Sequence, residues 1–167
     1  MSLIFRSERV GKDGKIFSMY KWRTLKTPKS GSNKPFAHLN EYTWCGRFLR
    51  KYRLDETAQI VNIIKGDMRI VGPRPEENKT MKLVPLNIRK KILSIRPGWF
   101  DIAGVYFFDE EEILKKAHDP AKVYFEVIKP MKLMLQTFYV ENRCILLDLA
   151  IIWMGFKRAV REIWKKS

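Results

Sequence analysis

The chain has 167 residues, which suits one domain large enough to bury a core, and 46% of them are hydrophobic, an ordinary content for a globular protein. Its 33 Lys and Arg against 18 Asp and Glu leave a formal charge of +15, so the surface expects an anionic partner: nucleic acid, anionic lipid or a phosphorylated substrate. No apolar stretch reaches the roughly 20 residues of a spanning helix, and no internal repeat is present. Cys45 and Cys144 stand far apart with no CxxC or His cluster, so each reads as a small reduced core residue on a cytosolic face. His38 and His118 are isolated in polar context and carry no role.

The first twenty-odd residues read as a hairpin, with one strand over Ile4 to Val10 and the other over Ile16 to Thr24. Asp13-Gly14 supplies the residues that tolerate positive φ in the turn. Alternation puts Phe17, Met19, Lys21 and Arg23 on one face of the second strand, and Ile16, Ser18, Tyr20 and Trp22 on the other. Two cations on a face that begins apolar fit a sheet whose far end lines a charged pocket. Charge protecting an edge strand accounts for them equally well. Residues 26–40, with Pro28, Gly31 and Pro35, form a loop. Glu41 to Lys51 reads as a short helix.

The stretch Leu49 to Pro75, LRKYRLDETAQIVNIIKGDMRIVGPRP, is the most informative. Ile60, Ile63 and Ile64 keep helical spacing over Ala58 to Ile64, and Lys65-Gly66 is a stop signal. The adjacent carboxylates Asp55 and Glu56 fall in that helix's first turn, where unpaired N–H groups favour anions. Acidic residues are common there for that reason alone. The alternative is a nucleophile beside a metal ligand, with Arg50, Arg53 and Arg74 gathered around an anionic substrate. Met68 to Val71 makes a short strand, ended stiffly by Pro73-Arg74-Pro75.

Further on, Leu86 to Ile95 reads as a basic amphipathic helix, with Ile88, Ile92, Leu93 and Ile95 inward and Arg89, Lys90 and Lys91 outward. Arg96-Pro97-Gly98 is a turn. Asp109 to Glu112 reads as the acidic start of a helix rather than a metal cluster, and Lys129 to Tyr139 as helical. From Cys144 to Lys166 an amphipathic helix carries Ile145, Leu149, Ile152, Trp153, Phe156, Val160 and Ile163, then a cluster of cations. A Trp-bearing helix with a basic flank suits a membrane interface; a core helix with a solvated tail fits the same pattern. On either reading, the residues before Gly155 are expected in the core.

Several of these pieces together resemble the bacterial sugar transferases, the monotopic phosphoglycosyl transferases. The pattern LRKxxLDExxQxxNxxKGDMxxVGPRP resembles that family's signature, and FRSERVGKDGKIFSMYKWRT resembles its FRQxRVGxxGKxFxxxKFRT. TWCGRFLR resembles TRxGRFLR, Arg96-Pro97-Gly98 the RPG of RPGITGW, and YVENRCILLDLAII the family's YxxNxSxxxDxxI. Four features depart from the family, the first being Asn40-Glu41-Tyr42, where the family usually has an Asp-x-Arg pattern just before the Thr of TRxGRFLR. Arg53 replaces the Ser or Thr of a capping box, Thr57-Ala58 replaces the Leu-Pro of LPQL, and WFDIAG from Trp99 to Gly104 replaces ITGW.

The resemblance implies an α+β catalytic domain spanning residues 1–167: a small N-terminal β-hairpin packed with several short helices, and an amphipathic C-terminal helix over 144–167. It implies transfer of a sugar-1-phosphate from a nucleoside-diphosphate sugar, commonly a UDP-sugar, to a polyprenol phosphate at the start of cell-surface glycan synthesis. Asp55 is then the nucleophile and Glu56 the ligand of Mg²⁺, while Arg50, Arg74, Lys21, Arg23 and Arg96 bind substrate phosphate. The expected setting is peripheral, on an anionic membrane surface at the cytoplasmic face, with no nucleic acid bound. Family members carry an N-terminal hydrophobic helix that dips into the membrane, and no stretch here replaces it, so the sequence is expected to be a fragment or a short form held by surface contacts. Two other classes compete: a silent scaffold of the same fold, and a basic nucleic-acid-binding module, which no zinc-finger spacing or RNP-type motif supports.

Overall fold

The computed structural model describes residues 3–24, 46, 49 and 54–165. The loop expected over 26–40, Cys45, His38, Arg50 and Arg53 lie outside the described residues, as does the helix expected over 41–51 apart from Gly46 and Leu49, both helical. Strands β1 (Ile4–Val10) and β2 (Ile16–Trp22) pair antiparallel, with Phe5 opposite Lys21 and Val10 opposite Ile16. A 3-10 turn, Lys12–Gly14, joins them, and Asp13 (φ 55°) and Gly14 (φ 80°) take the left-handed conformations that the Asp-Gly pair predicted.

A 3-10 turn over Leu54–Gln59 runs into helix α1 (Ile60–Ile64), and Gly66 ends it at φ 79°. Strand β3 (Arg69–Val71) follows, then α2 (Asn78–Lys82), α3 (Leu86–Ile92) and strand β4 (Gly98–Phe100). β3 and β4 are parallel, with Val71 opposite Phe100. Their backbones approach closely where Gly72 meets Gly98: a Cβ on Gly72 would stand 2.9 Å from the Gly98 nitrogen, so a side chain there would push the strand ends apart. Short helices α4 (Ile102–Tyr106), α5 (Glu110–Lys116) and α6 (Pro120–Val123) come next. A π-helical turn, Tyr124–Ile128, leads into α7 (Lys129–Asn142), and α8 (Ile145–Lys165) closes the fold.

Two apolar clusters organise these elements, and α7 touches both. Its Leu133 packs with Val10, Met81, Val84 and Ile92, while its Tyr139 and Val140 pack with Val71, Ile95, Val105 and Ile151. Tyr139 also donates to the Val71 carbonyl (3.1 Å) and to Asp148 Oδ1 (2.6 Å), and Arg69 pairs with Asp148 at 3.2 Å, locking β3 against α7 and α8. The α+β reading therefore holds: a hairpin, a two-stranded parallel pair and many short helices.

Two expectations are corrected. Cys144 is exposed, because it caps the start of α8 at the surface rather than facing either cluster. The residues before Gly155 are not uniformly core. Leu147, Ile151 and Ile152 pack inward, but Ile145, Leu146, Leu149, Trp153 and Met154 are exposed. A helix lying on one side of a thin core buries only one stripe, and the Cys144 to Gly155 run has apolar residues on more than one.

Candidate active site

The site is assembled where β2 lies along the 3-10 turn and α1. Asn62 ties the two together. It is fully buried; its Oδ1 accepts from the Tyr20 backbone N–H (3.0 Å), and its Nδ2 donates to the Ser18 carbonyl (2.7 Å) and to Asp67 Oδ2 (3.2 Å). One turn earlier Trp22 Nε1 donates to Thr57 Oγ1 at 2.9 Å, and Thr57 Oγ1 donates to the Leu54 carbonyl at 2.7 Å. These bonds fix the strand against the dyad turn at both ends, so Lys21, between Tyr20 and Trp22, meets Glu56.

Glu56 is the centre of the charge network. Its Oε1 receives Lys21 Nζ at 3.1 Å and Arg74 Nη2 at 2.5 Å, and its Oε2 receives Arg74 Nη1 at 3.5 Å. Burial alone would push the Glu56 carboxyl up, but the charges and hydrogen bonds of Arg74 and Lys21 outweigh it and hold the group well below the usual carboxylate range. Burial draws the Lys21 ammonium below its ordinary value, against the pull of Glu56. The Glu56 carboxylate raises Arg74 further above its already high value. The site is thus an ion triad centred on Glu56. Asp55, the preceding residue in the same first turn, is half-buried.

The sequence-predicted residues divide. Lys21 and Arg74 reach the dyad, yet here both hold Glu56. Arg23 lies just beyond β2, half-buried, and its backbone N–H closes the hairpin end by donating to the Leu3 carbonyl at 2.8 Å. Arg96 is exposed, and its Nη1 sits 3.6 Å from where a Gly66 side chain would begin. That is past the C-terminal end of α1, whereas the dyad precedes its N-terminal end. Sequence reasoning missed Thr57, Trp22 and Asn62 as the parts that set the register. The only clue was Asn62 itself, a polar residue inside the apolar run from Ile60 to Ile64.

Among the described residues no group of three or more His, Cys, Asp or Glu is placed to hold a metal. Asp55 and Glu56 nonetheless fit Mg²⁺, which keeps several waters and is commonly held by one or two carboxylates together with substrate phosphates. Glu56 Oε2, with its one long contact, is the freer of that side chain's two oxygens.

The family profile of the bacterial sugar transferases matches residues 1–162. The chain belongs to the bacterial sugar transferase family. Among its relatives, the Aeromonas hydrophila UDP-N-acetylgalactosamine-undecaprenyl-phosphate N-acetylgalactosaminephosphotransferase is 31% identical over 161 residues, covering 90% of this chain and 34% of that protein. The Escherichia coli K12 UDP-glucose:undecaprenyl-phosphate glucose-1-phosphate transferase is 32% identical over 134 residues, covering 76% of this chain and 28% of that protein. EpsL of Bacillus subtilis, itself an uncharacterized sugar transferase, is 28% identical over 163 residues, covering 95% of this chain and 70% of its own length. This sugar transferase chain therefore spans about a third of the length of the first two relatives.

Away from the dyad, α8 presents a second surface. Leu146, Leu149, Trp153, Phe156 and Trp164 recur at helical spacing and are 57–80% exposed. On the packed side a Cβ added to Gly155 would stand 2.9 Å from Phe100 Cδ1, so the glycine lets the helix sit close. Lys157 and Arg161 are exposed beside the apolar stripe, and Arg158 pairs with Asp109 at 3.0 Å. No helix among the described residues is long and apolar enough to cross a membrane.

Proposed function

We propose that this chain moves a sugar-1-phosphate from a nucleoside-diphosphate sugar, a UDP-sugar in the first instance, to a polyprenol phosphate. The observation that carries the reading is the ion triad beside Asp55: two cations and a carboxylate fixed around a nucleophile in a helical first turn. In the first step an Asp55 carboxylate oxygen attacks the phosphorus that bears the sugar. The bond from that phosphorus to the bridging oxygen breaks, and nucleoside monophosphate leaves with the electron pair. In the second step a phosphate oxygen of the polyprenol phosphate attacks the same phosphorus, and Asp55 departs as a free carboxylate.

The chemistry requires these residue types. A carboxylate is a weak nucleophile toward an anionic phosphate, so charge neutralisation must come first. Arg74 grips phosphate oxygens as a planar fork, and Lys21 adds a second positive charge. Glu56, with Asp55, would hold Mg²⁺, which when bound neutralises phosphate charge.

The exposed apolar stripe and basic flank of α8 support docking on an anionic membrane at the cytoplasmic face, where a polyprenol phosphate would present its head group. The test is release of nucleoside monophosphate from a panel of nucleotide sugars with Mg²⁺ and undecaprenyl phosphate, read beside intact mass after nucleotide sugar alone. The expected results are turnover with one UDP-sugar and a phosphosugar adduct on the protein. Turnover without an adduct, in kinetics that require both substrates before any release, overturns the covalent step.

A further inference from the structure

An apolar groove of about 680 Å³ runs along α7, a volume in the range of small-molecule sites. Lys129, Leu133, Met134, Phe138 and Glu141 line it from α7. Val84 and Pro85 between α2 and α3, Ile88 of α3 and Phe125 of the π-helical turn supply the rest of the wall. From Lys129 to Glu141 the α7 stripe is about 18 Å long, at about 1.5 Å per residue. Spread over that length, the volume makes a channel roughly 7 Å across. That is narrower than a helix with its side chains, at about 10–12 Å. It admits one hydrocarbon chain, whose carbons pack at about 4 Å from their neighbours.

The polar groups that α7 brings to the groove are spent on protein. Thr137 Oγ1 donates to the Leu133 carbonyl at 2.8 Å, Lys129 Nζ to Glu76 Oε1 at 2.6 Å, and Glu141 pairs with Lys91. The apolar wall stays open: Met134 is 64% and Phe138 49% exposed. The two ends differ. At the near end Lys129 holds Glu76, two residues beyond Arg74 and so at most about 7 Å along the chain from it. At the far end Phe138 stands one turn before α7 stops, and α8 then opens with Ile145 and Leu146, each 78% exposed, at the head of its outward apolar stripe.

We propose that this groove holds the isoprenoid chain of the polyprenol phosphate. The phosphate lies at the Arg74 end, the first isoprene units lie along Leu133, Met134 and Phe138, and the rest of the chain leaves past the start of α8 into the bilayer. The groove joins the ion triad to the outward stripe of α8, the two places that such a molecule must reach at once. The inference rests on the reading given under Proposed function for the identity of the acceptor.

The test is calorimetric binding of geranyl phosphate, farnesyl phosphate, farnesol and inorganic phosphate to the whole chain, all below their micellar concentrations. In the wild type the extra isoprene unit of farnesyl phosphate is expected to tighten binding about tenfold over geranyl phosphate, with inorganic phosphate weakest. M134S/F138S should lose that dependence on chain length. W153S/F156S should keep it, and R74Q should keep it while binding farnesyl phosphate no better than farnesol. If the double variant does not fold, M134S replaces it, because that side chain is mostly in solvent. Equal binding of the two prenyl phosphates by the wild type, or a tenfold step that survives in M134S/F138S, overturns the proposal. So does displacement of farnesyl phosphate by dihexanoyl phosphatidylglycerol, which would give the groove to membrane lipid. A dimer that farnesyl phosphate leaves intact and M134S/F138S abolishes would give it to a second copy of the chain, and overturns the proposal equally. A wild-type chain that transfers no sugar phosphate yet shows the tenfold step would sink the proposed function and leave the groove assigned to a prenyl phosphate.

Discussion

The dyad region and α8 use side chains in opposite ways. Around the dyad, polar groups far apart in sequence are spent on one another: Lys21 and Arg74 on Glu56, Trp22 on Thr57, Asn62 on Ser18, Tyr20 and Asp67. On α8 one stripe is committed to the core through Ile151 and Gly155, while Leu146, Leu149, Trp153, Phe156 and Trp164 are exposed among the described residues. A phosphoryl-transfer site needs its charges held before substrate arrives, because alignment within about an ångström decides the rate. A surface that meets lipid needs no such partner, since its binding energy comes from apolar area and smeared charge. The +15 net charge is therefore not one property: part is consumed in the triad, and part remains available at the end of α8.

Substitutions in the two regions should separate them. The largest effect is expected at the proposed nucleophile: D55N should fall below about a thousandth of wild-type turnover while melting normally. Wild-type turnover by a folded D55N protein would remove Asp55 from its assigned place. Next comes the triad. R74Q leaves Glu56 with Lys21 alone, and should both slow turnover and lower stability. Because the Arg74 side chain is 38% exposed, the stability cost should be about 1–2 kcal/mol rather than that of a fully buried pair, as read by chemical denaturation.

On α8 the expectation inverts. W153S/F156S should keep its turnover of short, soluble polyprenol phosphates and lose flotation with anionic liposomes. K157Q/R161Q should weaken flotation by about 1 kcal/mol per cation at low salt and matter little at high salt. If the α8 variants bind liposomes like the wild type, the outward stripe serves something other than lipid.

Acid titration gives a finer measure. The folded-state pKa of Glu56 is depressed, so its stabilisation is fully present above the unfolded value of 4.5 and is lost as pH falls toward the folded value. Tm should therefore fall more steeply below about pH 4.5 in the wild type than in E56Q, and the two slopes should match above it. Equal slopes below that pH would mean that Glu56 is not held as the triad implies. The smallest effect is expected for T57A, which strips the acceptor from Trp22 Nε1 at a partly solvated site and should cost about 1 kcal/mol.

Local chemistry was readable from the chain alone wherever one residue sufficed. Asp13-Gly14 specified the hairpin turn and Gly66 the end of α1, because few residues tolerate positive φ. Period-two alternation placed Lys21 and Met19 on one face, and Met19 is indeed buried while Lys21 reaches Glu56. The acidic pair was placed in a first helical turn by the spacing of Ile60, Ile63 and Ile64. What the sequence did not determine was the partner of each charge. Lys21 and Arg74 were expected on substrate phosphate, but contacts spanning 35 and 18 residues put both on Glu56, and only the packing of β2 along the dyad turn and the close Gly72–Gly98 approach decide that. Nor could periodicity tell which stripe of α8 would be buried. Its apolar residues exceed what one thin core can cover, so the choice fell to Phe100 and Val105, which meet Gly155 and leave Trp153 and Phe156 facing out.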